Sequence, residues 1–304
     1  MMEKGREKRA SLHIRRRTRY SGKEEVRTMT DRSSSRRWLV RLAGPVLLVA
    51  LLLFVVGTPA RLALAQEEPF VERVLRTLTL LPEDYLPALV ELMGSVNVDE
   101  ALQQGIFDAP RDFLASQEEV LPIELPPDAF QVTVLNFMIE PGEDQEDWFG
   151  VAAPLEGLIY DPKGVGIMYP NVGIFIQEAH EAPPDGGETL AAGPPTKEIE
   201  DMLGLTARLT GDVLERLRAV MKALDRMEPD DPERVRFLSN VREYLLRSGI
   251  TLPAADYRIV ALDFQRAAAL DAVHPDEVRP GLAVLPEGIG VFFDNMGVFI
   301  QLAI

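Results

Sequence analysis

Residues 164–179 read GVGIMYPNVGIFIQEA, and residues 288–303 read GIGVFFDNMGVFIQLA. At a constant offset of 124, eight pairs are identical: Gly164/Gly288, Gly166/Gly290, Asn171/Asn295, Gly173/Gly297, Phe175/Phe299, Ile176/Ile300, Gln177/Gln301 and Ala179/Ala303. A repeat of this length means one structural unit used twice, so whatever one copy folds into must be able to sit beside another. The match extends upstream. Gly157-Leu158 corresponds to Gly281-Leu282, and LPPDAFQVTVLNF (125–137) aligns with LPAADYRIVALDF (252–264) after a three-residue shift. Farther back, Phe113-Leu114 is matched with Phe237-Leu238 at the offset of 124.

Each unit reads as helices followed by short strands. In the second, Val213, Leu214, Leu217, Val220, Met221, Leu224 and Met227 recur at helical spacing, with charged residues off the stripe. Asp231-Pro232 then opens a second helix, expected to run through Val235, Leu238, Val241 and Leu245 to a stop at Gly249. The first unit offers Leu86, Leu89, Val90 and Met93 as the same stripe, and a helix opened by Pro110 through Phe113 and Leu114. Phe130–Ile139 and Tyr257–Phe264 follow Leu-Pro signals and are rich in β-branched and aromatic residues, so both are predicted strands. The repeated segments give strands over 157–160, 165–169 and 173–178, with turns at Asp161–Gly164 and Pro170-Asn171; the equivalents are 282–285, 289–293 and 298–302. The expected class is α+β: two tandem repeats, 66–179 and 198–304, each a helical pair followed by a small antiparallel sheet. A Pro/Gly-rich linker, 180–197, joins them. Packing as an intramolecular pseudo-dimer is the expectation, since a small sheet gains by covering its open face; beads on a string are the alternative.

Before the repeats, residues 1–65 form a basic region that ends as a secretory signal. Ser35-Arg36-Arg37-Trp38 leads into an apolar run from Leu42 to Val56, followed by Ala63-Leu64-Ala65. The run falls short of the roughly 20 residues a spanning helix needs. Cleavage after Ala65 is therefore expected, with the small Ala63 and Ala65 in the peptidase site, and an uncleaved membrane anchor is the alternative. Arg36-Arg37, with Ser35 before and Leu39, Val40 and Arg41 after, resembles the twin-arginine export signal, although Leu39 stands where that signal prefers Phe. The resemblance implies recognition through Arg36 and Arg37; an ordinary secretory signal is the competing reading. Translation from Met29 rather than Met1 would give a signal of ordinary length.

Charge divides the chain at the same place. The first 65 residues carry 15 Lys/Arg and 5 Asp/Glu, and the remainder carries 17 and 43. A mature part near −26 repels nucleic acid and anionic membrane, leaving a protein, a small ligand or self-association as partner classes; membrane contact would come only through an uncleaved signal. Cysteine is absent, which excludes disulfides, thiolate metal sites and a Cys nucleophile.

Few residues suggest chemistry. The paired glycines at 164/166 and 288/290 are not followed by a helix, so they fit strands and turns rather than a phosphate loop. Asn171 and Asn295 are expected at turns for their tolerance of left-handed backbone. Gln177 and Gln301 fall on the solvent face of the strand alternation; the sharper reading has them bonding across a pseudo-twofold axis or to a ligand. Glu143, Asp144, Glu146 and Asp147 could gather around a metal ion but lack calcium-loop spacing. His180 and His274 have no neighbouring ligand, and no Ser sits in a nucleophile elbow. No cofactor is implied. The sequence thus reads as an exported, non-catalytic tandem-repeat binding or interaction module. The alternatives are a secreted hydrolase or metal-dependent enzyme using the acidic loop, and a self-assembling surface protein.

Overall fold

A computed structural model describes residues 69–304 apart from 83, 123, 141, 143–146, 183–194, 210 and 277. Both helices and strands are present, and all the strand pairings are antiparallel, which makes the fold α+β. The helices are α1 (Phe70–Leu80), α2 (Tyr85–Val96), α3 (Glu100–Asp108), α4 (Pro110–Ala115), α5 (Pro195–Arg208), α6 (Gly211–Leu224), α7 (Pro232–Ser239), α8 (Val241–Arg247) and α9 (Phe264–Ala269). The strands are β1 (Phe130–Asn136), β2 (Phe149–Ala152), β3 (Leu158–Met168), β4 (Val172–Glu181), β5 (Tyr257–Asp263), β6 (Val273–Pro275), β7 (Val284–Phe292) and β8 (Met296–Ala303).

All eight belong to one sheet of order β2-β5-β4-β3-β7-β8-β1-β6, where the sequence had suggested two small sheets. β1 lies against β8 and β6, and β5 against β4 and β2. At the middle, β3 pairs with β7 through Val165↔Ile289, flanked by Gly164↔Gly290 and Gly166↔Gly288.

Alternation along the central strands builds two cores. Val165, Ile167, Ile174, Ile176, Ile289, Val291, Val298 and Ile300 pack with helical residues such as Leu89, Met93, Leu214, Leu217 and Met221. Phe175 and Phe299 project the other way and join Phe292, Trp148, Val260, Leu262 and Phe264 in a second cluster. Phe175 stacks on Phe292 at 3.8 Å between centroids and meets Phe299 edge-on at 6.0 Å. Glycine at 164 and 288 makes room for this layer: a Cβ there would lie 2.9 Å from the Phe175 ring and 3.0 Å from that of Phe299, and closer still to the Ile176 and Ile300 carbonyl oxygens. With both faces covered, polar side chains on the inner strands have nowhere to meet bulk water.

Three expectations change. The helix foreseen from Pro232 to Gly249 is two helices, because Asn240 (φ −154°, ψ 72°) leaves helical geometry and its side chain caps the second by accepting from Glu243 N–H at 3.2 Å. Gly249, at φ +75°, is the stop expected of it. Ala109 (φ −152°, ψ 80°) makes the same break between α3 and α4. Phe113 consequently sits on the second helix of its pair and Phe237 on the first of its own, so their matching by sequence offset does not correspond to like positions. Lastly, Asp161–Gly164 is no turn: β3 continues through it with a register irregularity between Tyr160 and Gly164, and β7 has one between Val284 and Gly288. The segment foreseen as linker contributes His180 and Glu181 to β4 and its last residues to α5, while 183–194 lie outside the described residues.

Candidate functional site at the seam of the sheet

Both glutamines singled out by sequence are interior, not solvent-facing: Gln177 is 0% exposed and Gln301 5%. Gln177 Nε2 donates to the carbonyls of Asp161 (2.9 Å), Pro162 (3.1 Å) and Phe292 (2.9 Å), and its Oε1 accepts from Arg258 Nη1 at 2.8 Å. Gln301 Nε2 donates to the carbonyls of Leu285 (2.8 Å) and Met168 (3.1 Å). In each case one acceptor belongs to the irregular stretch of its own hairpin and another to the far end of the neighbouring hairpin. The carbonyls released by each bulge are thereby satisfied.

The turn asparagines tie strands to helix ends. Asn171 donates its backbone N–H to Asp225 Oδ1 and its Nδ2 to the Asp225 carbonyl, both at 2.9 Å, just past α6. Asn295 does the same to Asn97, just past α2, at 3.2 and 3.0 Å. Neither has a positive φ; among described non-glycine residues only Asp271 does. Side-chain reach, rather than left-handed backbone, is what these positions use.

Several buried charges escaped the sequence reading. Arg234 and Asp263, both 0% exposed, form a two-pronged pair (Nε–Oδ2 2.8 Å, Nη2–Oδ1 2.5 Å). Arg234 also donates to the Asn171 and Met227 carbonyls and to Gln265 Oε1, while Asp263 caps α9. Glu287, 0% exposed, sits between Arg73 (3.0 Å) and Arg218 (2.6 Å); Nε and Nη2 of Arg73 are buried without a hydrogen-bond partner among the described residues. Arg258 lies 4.0 Å over the Tyr160 ring, whose hydroxyl donates to the exposed Asp294. Burial raises the Tyr160 pKa to about 12 and lowers that of Arg258. The available signal was a lone charge within an apolar strand, as in YRIVALD for Arg258 and Asp263.

The remaining candidates are not brought together. Glu143, Asp144 and Glu146 lie outside the described residues, as do Arg36, Arg37, Ala63 and Ala65; Asp147 is exposed. His180 is exposed at the end of β4, and His274 on β6 stacks on Phe107 at 5.2 Å. Among the described residues, no three His, Asp or Glu side chains gather as a metal site would require, and no helix is long and apolar enough to cross a membrane. The seam is thus a packed, hydrogen-bonded interior rather than a cleft. Comparison of the chain with family models, with curated proteins and with solved structures finds no match in any of the three.

Proposed function

We propose that the mature chain is an exported, non-catalytic interaction protein, built as an internal pseudo-dimer of two α+β repeats, whose partner presents a cationic protein surface. The disposition of charge carries this reading. Of the 17 basic residues after position 65, Arg73, Lys163, Arg234 and Arg258 are buried, and the side chains of Arg111, Arg218 and Arg266 are only 14–16% exposed. Cations are spent on holding the interior together. The 43 acidic residues of the same stretch include just three that are buried among those described, Asp263, Asp276 and Glu287. The exterior is therefore more acidic than net charge suggests, and such a field draws in basic surfaces and repels further copies of the same chain.

The pseudo-dimer is supported by the pairing of residues 124 apart. Val165 faces its own counterpart Ile289, and Gln177 and Gln301 each reach the carbonyl of the residue equivalent to the other's acceptor, Phe292 and Met168. Export rests on the signal-like segment through Ala65 and on the charge change that follows it. The repeated polar side chains bond to backbone carbonyls and, for Gln177 and Asn171, also to Arg258 and Gln265, which favours a scaffold whose outer surface does the work over a catalytic seam.

The test is binding of purified basic and acidic proteins from the compartment that receives the mature chain, at about 50 and 500 mM salt. The proposal expects saturable binding of a basic protein that weakens at the higher salt, and none of the acidic ones. Salt-insensitive binding of an acidic or neutral partner would contradict it. So would turnover of a compound abolished by one substitution that leaves the fold intact.

A further inference from the structure

Arg111 on α4 and Arg242 on α8 are matched clamps. Each donates Nη1 to the carbonyl of the Leu preceding a proline, Leu125 or Leu252, and Nη2 to the first strand residue, Phe130 or Tyr257, at 2.9 Å. The loop they close differs: 14 positions separate Arg111 from Leu125, and 10 separate Arg242 from Leu252. The same anchor must accommodate four extra residues in the first case. Beside them is an open groove of about 420 Å³ lined by Leu114, Ala115, Glu118, Leu121, Pro122 and Glu124.

Charge is distributed as unevenly as length. Residues 66–181 hold 23 acidic and 4 basic residues, whereas 182–304 hold 20 and 13. Between 108 and 128 there are six carboxylates and one base, Arg111, and that base is turned inward onto Asp276 and the two carbonyls. Glu118 and Glu124 are both exposed, above a floor of Leu114 and Leu121. An aliphatic floor with a carboxylate rim suits a side chain with an apolar stem and a cationic head, or a basic residue next to a leucine.

We infer that this groove docks a Lys/Arg-bearing, partly aliphatic segment of a partner protein. The inference rests on the cationic-partner reading above and adds the place and the half of the molecule that carries it.

The probe is a fluorescently labelled hexapeptide of alternating Leu and Lys, titrated with the mature chain at about 50 mM salt and read by anisotropy. Glu118→Gln with Glu124→Gln is compared with Glu228→Gln and Asp230→Asn, two exposed carboxylates in the other half. All four are exposed, so melting temperatures should match the parent. Loss of two exposed charge contacts is expected to weaken binding about fivefold or more in the groove variant, against less than about twofold in the control. Equal weakening in both variants would overturn the groove while leaving a cationic partner intact. No binding by the parent chain would overturn both.

Discussion

Gln177 has four hydrogen bonds and no contact with solvent. Replacing it with Leu would leave three backbone carbonyls and part of Arg258 unpaired in a dry interior, at a cost of about 2–4 kcal/mol. Gln301→Leu removes two bonds and should cost less. Urea denaturation of the two variants checks the order. Asp276 offers a pH-dependent counterpart. It accepts from Val132 N–H at 2.7 Å and pairs with Arg111, yet its pKa is raised, with burial the leading cause and the Val132 and Arg111 contacts opposing it. A carboxyl that holds its proton more tightly when folded contributes stability that is present below the unfolded value and lost as pH rises through the folded one. The parent should therefore gain stability relative to Asp276→Asn as pH falls from 7 towards 4, measured by denaturation at a series of pH values. Sequence marked Gln177 and Gln301 through their repetition but assigned them to solvent. Alternation predicts that face only when one side of a sheet is wet, and here aromatic residues and loops cover the second side.

At the level of elements, the long amphipathic stripe of α6 was legible, and so were α2, the strands from Phe130 and Tyr257, and the turn at Pro170-Asn171. The Asp-Pro-Lys-Gly stretch was not. Its composition is that of a turn, but Gln177 holds the Asp161 and Pro162 carbonyls and keeps the stretch within β3 as a bulge. The helix break at Asn240 was hidden because apolar spacing carries across it. Edge strands β2 and β6 are too short to show a period. Arg242 is the bracket that joins such pieces: it donates to carbonyls of Leu252, Ala152 (3.2 Å), Ala153 (3.3 Å) and Tyr257 (2.9 Å). A lysine has no planar fork to span both sides of that set. Arg242→Lys should lose about 1–3 kcal/mol in chemical denaturation, and limited proteolysis should then cut near Leu252-Pro253 sooner than in the parent.

For the whole molecule, the decisive fact is which strands pair. Of the seven pairings among the described residues, β3–β4 and β7–β8 stay on one side of residues 183–194, whereas β1–β6, β1–β8, β2–β5, β3–β7 and β4–β5 cross from one side to the other. A repeated sequence announces two similar units and their hairpins, but strand order depends on contacts between distant residues that no local pattern encodes. The same interlocking explains why the seam is closed. It also requires that neither side unfold alone, because β1 and β5 would lose every sheet partner they have. Native-state hydrogen exchange reads this directly. Amides of Val132 and Val134 in β1, Ile259 and Ala261 in β5, and Val165 and Ile289 at the centre are expected to exchange through one global opening, with free energies equal to within about 1 kcal/mol. Exchange of β1 with β3 and β4 at a free energy well below that of β5, β7 and β8, or the reverse, would mean two independent units and would contradict the account.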